Sequence, residues 1–440
     1  MEIAPERGAI SIKIQVIKMI ENFKEYVSSS YTAFHAVKNA EKKLLENGFV
    51  RLYEKDGWEI SEGGKYYVIR GGSALAAFTV GNGGYFKIAA SHTDSPALKI
   101  KENPLIKENG YIKLNVEKYG GGILYSFLDR PLKIAGRIVY EADGKLSVEN
   151  VVSDYSIIIP SLAIHMNRGV NDSFSINAQT DMCPIFDLAE SDKPTELYAT
   201  LTDKNVIGAD LYLVNADGCT DLGASKKLLS APRVDNLTSV FASVNALIDA
   251  PASSGICIAA LFNSEEIGNS TASGADGDML EAILCRICAS LGINGDAYYS
   301  AVSRSMLLSV DVAHAVHPNH PEKSDPTNRP KLGGGVVLKY NANGNYVTDS
   351  VSASVIKSIF GKADVAHQSF HSRSDIPCGS TLGRSFVCRL GMSACDIGLP
   401  QLAMHSSLET FAKDDLFALY GGIKAFFGAE LSISDNEIGF

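Results

Sequence analysis

The sequence lacks the long apolar segment that a membrane-spanning helix requires. Nowhere in its 440 residues does an apolar run approach about 18 residues, the minimum for crossing a bilayer. The first residues, Met1 to Arg7, contain no basic stretch followed by an apolar run, so no secretory signal is visible. We therefore expect a protein that neither spans a membrane nor is secreted.

Cysteine is also scarce, with 8 residues in the whole chain, which argues against a disulfide framework. Cys285 and Cys288 form the one CxxC pair. A structural zinc site takes four ligands, and no second pair completes this one. We interpret the two thiols as packed side chains one helical turn apart. The sequence thus predicts a reduced, cytoplasmic protein.

Positive charge is in deficit as well. The chain has 40 Lys and Arg against 50 Asp and Glu, a net charge of −10. Phosphate backbones and anionic lipids attract basic surfaces, so neither nucleic acid nor a membrane is expected as a partner. With 45% hydrophobic residues the chain can bury a large core, which excludes general disorder.

The apolar pattern divides the chain into three segments. Residues 10–26 and a stretch after Thr32 have helical spacing, and short apolar strands follow up to about residue 90. Residues 99–229 are mostly short strands, with Asp143-Gly144 as a hairpin turn and residues 196–201 as one of the strands. From Pro232 onward helices and strands alternate again. This order predicts an α/β fold interrupted by an inserted β-rich domain.

Five short segments place a histidine or a carboxylate at the end of a strand: His92, Asp235, Glu266, Asp311 and His405. Each alone is weak, since an Asp before a helix is most often an N-cap. Together, two imidazoles and three carboxylates suit zinc better than calcium or magnesium. We hypothesise that Asp235 bridges two ions, one bound by His92 and Asp311 and the other by Glu266 and His405. This is the layout of a two-metal hydrolytic site.

Two further carboxylates complete the candidate site. Asp94 lies two residues after His92 on the same face, where it can accept the ring N–H of that histidine. Glu265 precedes Glu266 and can face the water between the ions. Like charges this close cost on the order of several kcal/mol per pair. Two divalent cations relieve most of that repulsion, so we expect the metal-free protein to be destabilised or to have raised carboxylate pKa values.

The order of these motifs along nearly the whole chain resembles the M18 family of metalloaminopeptidases, whose best-known members are the aspartyl aminopeptidases. The matching segments are His92-Thr-Asp94-Ser-Pro, Ala231-Pro-Arg-Val-Asp235-Asn-Leu, Asn263-Ser-Glu265-Glu266-Ile-Gly, Asp311-Val-Ala-His-Ala-Val-His-Pro-Asn, and Ser393 to Ser407 with His405. The resemblance implies two zinc ions (with Co2+ or Mn2+ as substitutes) bridged by Asp235, Glu265 as general base and Asp94 as orienting residue.

The resemblance also implies a zinc-exopeptidase-like three-layer α/β catalytic domain with an inserted β-rich dimerisation domain. We place the catalytic domain at residues 1–98 and 230–440 and the inserted oligomerisation domain at residues 99–229. Family members assemble into tetrahedral dodecamers, so a homo-oligomer is expected. In these assemblies a histidine matching His165 reaches the active site of a neighbouring subunit, where it contacts substrate.

The implied activity is hydrolysis of the N-terminal residue of peptide substrates by a zinc-bound hydroxide. Lys339 matches a family position thought to meet an acidic side chain, which predicts a preference for N-terminal Asp or Glu. Arg384 stands where many members have Pro, and His371 is also unusual. An aminopeptidase for neutral residues such as Leu, another two-metal amidohydrolase and a non-catalytic shell-forming protein remain the alternatives. The last is least favoured because the chain retains the whole ligand set.

Overall fold

The computed structural model describes residues 4–189, 196–433 and 438–439 of the chain. No helix in those ranges is long and apolar enough to cross a membrane. The elements before the predicted insertion are α1 (Ala4–Ser29), α2 (Ala33–Glu46), β1 (Val50–Arg51), β2 (Lys65–Arg70), β3 (Ala74–Thr79) and β4 (Phe86–His92).

The middle segment forms a six-stranded antiparallel sheet of its own. The elements of this segment are β5 (Ala97–Glu108), β6 (Tyr111–Tyr119), β7 (Leu132–Ala142), β8 (Lys145–Val152), α3 (Ala178–Asp181), β9 (Ile185–Leu188), β10 (Val206–Asn215) and β11 (Thr220–Leu222). The strand order in the six-stranded sheet is β8-β7-β10-β5-β6-β9, and Leu114, Ile134 and Leu213 lie in a core separate from the rest. The predicted division at residues 98 and 229 stays a prediction.

Two local predictions in this segment have opposite outcomes. The hairpin turn between β7 and β8 is confirmed, with Asp143 and Gly144 both at positive φ (52° and 69°), as its turn type requires. The strand predicted at residues 196–201 is wrong. Tyr198–Thr200 form a 3-10 turn, in which the backbone N–H and the hydroxyl of Thr200 both donate to the carbonyl of Leu197. A Thr side chain can satisfy a turn in this way, which competes with strand pairing.

The last segment returns to alternating helices and strands. Its elements are β12 (Leu228–Ala231), α4 (Val234–Asp249), β13 (Ile256–Phe262), α5 (Met279–Ser290), α6 (Asp296–Ser303), β14 (Met306–Val310), β15 (Ala313–His314), β16 (Val336–Tyr340), α7 (Ser350–Lys362), β17 (His367–His371), α8 (Gly383–Leu390), β18 (Ser393–Gly398), β19 (Pro400–Leu402), β20 (Glu409–Ala412), α9 (Lys413–Gly428), β21 (Ser432–Ile433) and β22 (Ile438–Gly439).

The first and last segments share a nine-stranded mixed sheet in the order β1-β2-β3-β13-β4-β14-β18-β16-β17. Helices cover both faces. Leu44 of α2, Val240 of α4 and Phe427 of α9 lie in the core on one side, whereas Leu284 of α5 and Phe386 of α8 lie in the core on the other. The predicted three-layer α/β fold is confirmed.

Three adjacent strands of this sheet, β13, β4 and β14, run parallel. Their carboxyl ends therefore meet at one edge, where Phe262 pairs with His92. A five-stranded sheet, β11-β12-β20-β19-β15, contains the strand just before Asp235 (β12) and the strands on either side of His405 (β19 and β20). In open α/β sheets this edge is where ligands bind, so the topology brings distant segments to a single place.

Candidate metal centre

The predicted ligands come from five separate segments and converge at this edge. His92 is the last residue of β4, Asp311 directly follows β14, and Glu266 lies in a 3-10 turn after β13. Asp235 opens α4, and its peptide bond with Asn236 is cis. His405 lies in the loop between β19 and β20.

The carboxylate of Asp235 lies between two pairs of side chains. Its Oδ1 is 3.3 Å from Nε2 of His92, which is itself 3.5 Å from Oδ1 of Asp311. Its Oδ2 is 3.3 Å from Nε2 of His405, which is 3.4 Å from Oε2 of Glu266. One aspartate therefore has an imidazole at each oxygen, and each imidazole has a second carboxylate beside it. The assignment of these five groups as metal ligands stays a prediction.

The donor set fits divalent cations. Ligand atoms of His92, Asp235 and Glu266 all lie within 4.8 Å of one another. Oδ1 of Asp235 and Oε1 of Glu266 are buried and have no hydrogen-bond partner in the described part of the chain. Buried oxygens normally have a donor, so these convergent acceptors suit a positive ion. Imidazole with carboxylate is a donor combination typical of zinc.

The carboxyl groups of the cluster are electrostatically crowded. Burial raises the pKa of Glu265 to about 7; nearby His92 opposes this rise, whereas Asp311 and Asp235 add to it. Burial also raises the pKa of Glu266 well above its usual range, and the charge of Asp235 adds to that effect. Both glutamates thus resist ionisation until positive charge is supplied.

The two histidines show the complementary effect. Burial lowers the pKa of His405, but its hydrogen bond to Asp235 and the charge of Glu266 outweigh burial and raise the pKa to about 10. Burial opposes protonation of His92 too, yet Asp235 and Asp311 raise its pKa well above the usual value. In the metal-free protein imidazolium ions therefore supply the positive charge that this cluster demands.

Asp94 lies against the ring of His92 and also against the turn that follows β13. Nδ1 of His92 is 3.1 Å from the backbone carbonyl oxygen of Asp94 but 3.5 Å from its carboxylate. The carboxylate also accepts the backbone N–H groups of Glu265 and Glu266, each at 3.2 Å, and the hydroxyl of Tyr119 at 2.8 Å. Asp94 therefore fixes the turn that carries both glutamates. Its catalytic assignment stays a prediction.

Lys339 is fully enclosed at the side of the cluster. Its side chain is 1% exposed, and its Nζ lies 3.4 Å from Oδ2 of Asp311 and donates to the carbonyl of Val312 at 3.1 Å. The ammonium group also faces the ring of Tyr346, 5.0 Å from its centroid. Its positive charge is thus paired with Asp311, and contact with an acidic substrate stays a prediction.

His165 is not brought to the cluster within one chain. It is exposed, in the loop between β8 and α3, and makes no hydrogen bond or ion pair with any described residue. Its neighbours Leu162, Ile164 and Met166 are exposed as well, at 57%, 47% and 74%. A substrate contact by His165 would need a second subunit.

Sequence reasoning missed two groups that hold His405 in place. The buried carboxylate of Glu409 accepts the backbone N–H groups of Asp235 and His405, and the carbonyl of Gly121 lies 3.2 Å from Nδ1 of His405. Burial raises the pKa of Glu409 to about 8, with Asp235 adding to the rise. The sequence held one weak signal for Glu409, namely that it is a charged residue next to apolar residues, four positions after the candidate ligand His405. The contact of Gly121 left no signal in the sequence.

A cleft of about 260 Å³ adjoins the segments that carry Asp311 and His405. Its lining residues include two cations, Lys323 and Arg373, and three histidines, His314, His317 and His371, but no Asp or Glu; burial lowers the pKa of His314, so that imidazole is neutral near pH 7. Arg373 is paired with Asp375, whereas Lys323 has no ion pair in the described ranges. The cleft therefore favours a negatively charged or polar guest.

Comparison with known proteins gives consistent matches over nearly the whole chain. The family model described as "Aminopeptidase I zinc metalloprotease (M18)" matches residues 26–427. The probable M18 family aminopeptidase 2 of Clostridium novyi (strain NT) is 41% identical over 426 residues, covering 93% of this chain and 98% of the relative.

Solved structures match as well. A chain in the cryo-EM structure of the Ape4 and Nbr1 complex superposes with a TM-score of 0.90 at 33% identity, covering 94% of this chain and 86% of that one. The S. cerevesiae mApe1 dodecamer superposes with a TM-score of 0.79 at 26% identity, covering 92% of this chain and 95% of that one.

Proposed function

Because this chain belongs to the M18 family of zinc aminopeptidases, we propose that it removes N-terminal residues from peptides by means of two zinc ions. The observation that carries the proposal is the position of Asp235, with an imidazole at each carboxylate oxygen. The residues that would hold the ions are His92, Asp235, Glu266, Asp311 and His405. Metal analysis by mass spectrometry together with an aminopeptidase assay tests it.

Two zinc ions would polarise the scissile carbonyl and lower the pKa of the attacking water. Glu265 is the group that takes the proton from that water and delivers it to the leaving amine. Its Oε2 lies 4.0 Å from Nε2 of His92, so its carboxylate lies beside the proposed ligands, and a glutamate in such a position can serve as a general base. Asp94 supports this role by holding the Glu265 backbone through the hydrogen bond to its N–H.

We further propose a preference for acidic N-terminal residues. Support comes from the cleft, which Lys323 and several histidines line without any carboxylate. Pairing of a substrate carboxylate with a cation is a charge-assisted interaction, which contributes about 1.5–3 kcal/mol to the free energy of binding.

This proposal predicts the ratio of rates between matched substrates. Peptides that begin with Asp or Glu are expected to be cleaved with a kcat/KM roughly 10 to 100 times that of the same peptide beginning with Asn, because Asn keeps the size of Asp without its charge. Steady-state assays on Asp-, Asn-, Glu- and Leu-peptides measure the ratio. Equal rates for Asp and Asn, or a preference for Leu, would support the neutral-residue alternative.

We also propose a homo-oligomer, with a tetrahedral dodecamer as its form and the cytoplasm as its location. Three observations support these proposals. One solved relative is titled a dodecamer, exposed apolar side chains surround His165, and all eight cysteines are free thiols. In such an assembly His165 would contact the substrate bound to a neighbouring subunit.

Complementation tests the contribution of His165 across subunits. His165→Ala and Glu265→Gln should each have little activity alone, because each subunit type lacks one essential group. When the two variants are co-expressed, an active site works only if its own subunit has Glu265 and the neighbouring subunit has His165. Random mixing of equal amounts meets both conditions at about one quarter of the sites, so we expect activity to recover to about that level. Assays of co-purified mixed oligomers, sized by mass photometry, measure the recovery. Absence of recovery in verified mixed oligomers would refute the trans role.

A further inference from the structure

Glu409 links two segments of the candidate metal centre. Its Oε2 accepts the backbone N–H of Asp235 at 2.9 Å, and its Oε1 accepts the backbone N–H of His405 at 2.7 Å. The side chain is 1% exposed, so water does not compete for these hydrogen bonds. Gln401 adds a third donor at 3.3 Å. One carboxylate therefore connects the start of α4 to the loop after β19.

The loop that Glu409 holds has an unfavourable backbone conformation. His405 has a φ of 68° and Ala403 a φ of 58°, both in the left-handed region that residues with a Cβ rarely adopt. Such residues keep their conformation only where surrounding contacts fix them. Here the backbone N–H of His405 donates to Glu409, and the carbonyl of His405 accepts the backbone N–H of Ile123 at 2.9 Å.

We propose that Glu409 is a positioning residue for the metal centre. It fixes the separation of Asp235 and His405, and with it the affinity for zinc, without touching an ion or the substrate. This inference rests on the proposed function, because it needs both residues to be zinc ligands. Groups that orient metal ligands commonly change metal affinity 10- to 100-fold when they are removed.

Glu409→Gln tests the inference with almost no change in size. The amide keeps one acceptor oxygen but turns its NH2 group toward the other backbone N–H, so one of the two contacts is lost. We expect the zinc dissociation constant, measured by competition with a chromophoric chelator, to rise 10- to 100-fold. Glu409→Asp keeps both oxygens but is one methylene shorter, so it should also weaken zinc binding and serves if the Gln variant does not fold.

Asp415→Asn is the matched control. The buried carboxylate of Asp415 likewise accepts two backbone N–H groups, those of Gly333 at 2.7 Å and Gly335 at 2.8 Å, and it contacts none of the candidate ligands. Both variants should lower the melting temperature, but Asp415→Asn should leave the zinc dissociation constant within about twofold of wild type, because it holds no ligand backbone.

The outcomes separate the inference from the proposed function. Weaker zinc binding in the Glu409 variants alone supports the inference. Wild-type affinity in those variants, or equal weakening in the Asp415 variant, overturns it while the proposed function stands. A wild-type protein that binds no zinc at all overturns both.

Discussion

Replacement of Glu265 by glutamine is expected to lower kcat by roughly 10²- to 10⁴-fold, the usual contribution of a general base. Glutamine has nearly the same shape but cannot accept a proton from water. Because Glu265 is not among the proposed ligands, zinc content should not change. Steady-state kinetics at saturating peptide, with metal analysis of the same sample, measure both quantities.

The adjacent Glu266→Gln variant is the control for this prediction. Both glutamates lie in one 3-10 turn, and Asp94 accepts both of their backbone N–H groups. Glu266, however, approaches His405 within 3.4 Å, so its substitution should reduce zinc content as well as activity. A Glu265→Gln enzyme with kcat within a few-fold of wild type would show that another group is the base.

Removal of zinc is expected to lower the melting temperature, and more so at pH 8 than at pH 5.5. The pKa values of Glu265, Glu266, His92 and His405 are all raised in the folded metal-free protein. Each of these groups has its ordinary pKa in the unfolded chain and a higher pKa in the folded protein. At pH values between the two, the native state binds more protons than the unfolded chain. The contribution of these four groups to stability must therefore fall as pH rises through this window. The lowered pKa of Asp235 acts only below about pH 4.

The size of this loss of stability follows from how far each pKa is raised. For Glu265 alone, a rise from 4.5 to about 7 corresponds to stability on the order of 3 kcal/mol that is present at acidic pH and lost as the group ionises. If zinc binds the folded state and not the unfolded chain, as proposed, its return should restore stability by mass action.

Differential scanning fluorimetry at both pH values, before and after thorough chelation and after zinc return, measures the effect. His165→Ala, which is outside the cluster, serves as a control that should respond to chelation as wild type does. A melting temperature that is unmoved by chelation, or that rises with pH in the metal-free protein, would contradict the prediction.

The candidate ligands could be predicted from sequence because they follow buried parallel strands. Strands such as β4 and β14 are recognisable as short apolar runs, and parallel strands bring their carboxyl ends to one edge. The position of a His or Asp at the end of such a run, such as His92 or Asp311, can therefore be predicted: it lies at the carboxyl edge of the sheet. The turn at Asp143-Gly144 was predictable because its backbone conformation depends on two adjacent residues.

Other features could not be read from the chain. Residues 196–201 have the apolar character of a strand, but Thr200 bonds to Leu197 and forms a turn instead. The carboxylate of Asp94 also accepts the backbone N–H groups of Glu265 and Glu266, contacts that depend on how the turn after β13 packs and that the sequence did not indicate. Each of these outcomes depends on which donor lies nearest, which composition does not encode.

By itself the sequence determined the α/β class, the acidic surface charge and the residue types able to bind zinc, because these follow from local periodicity and side-chain chemistry. Tertiary structure alone decided that Lys339 is paired with Asp311 and that Glu409 spans the backbones of two candidate ligands, Asp235 and His405. These depend on distances of a few ångströms between segments far apart in the chain, and such distances are set by how the layers pack rather than by any short stretch of residues.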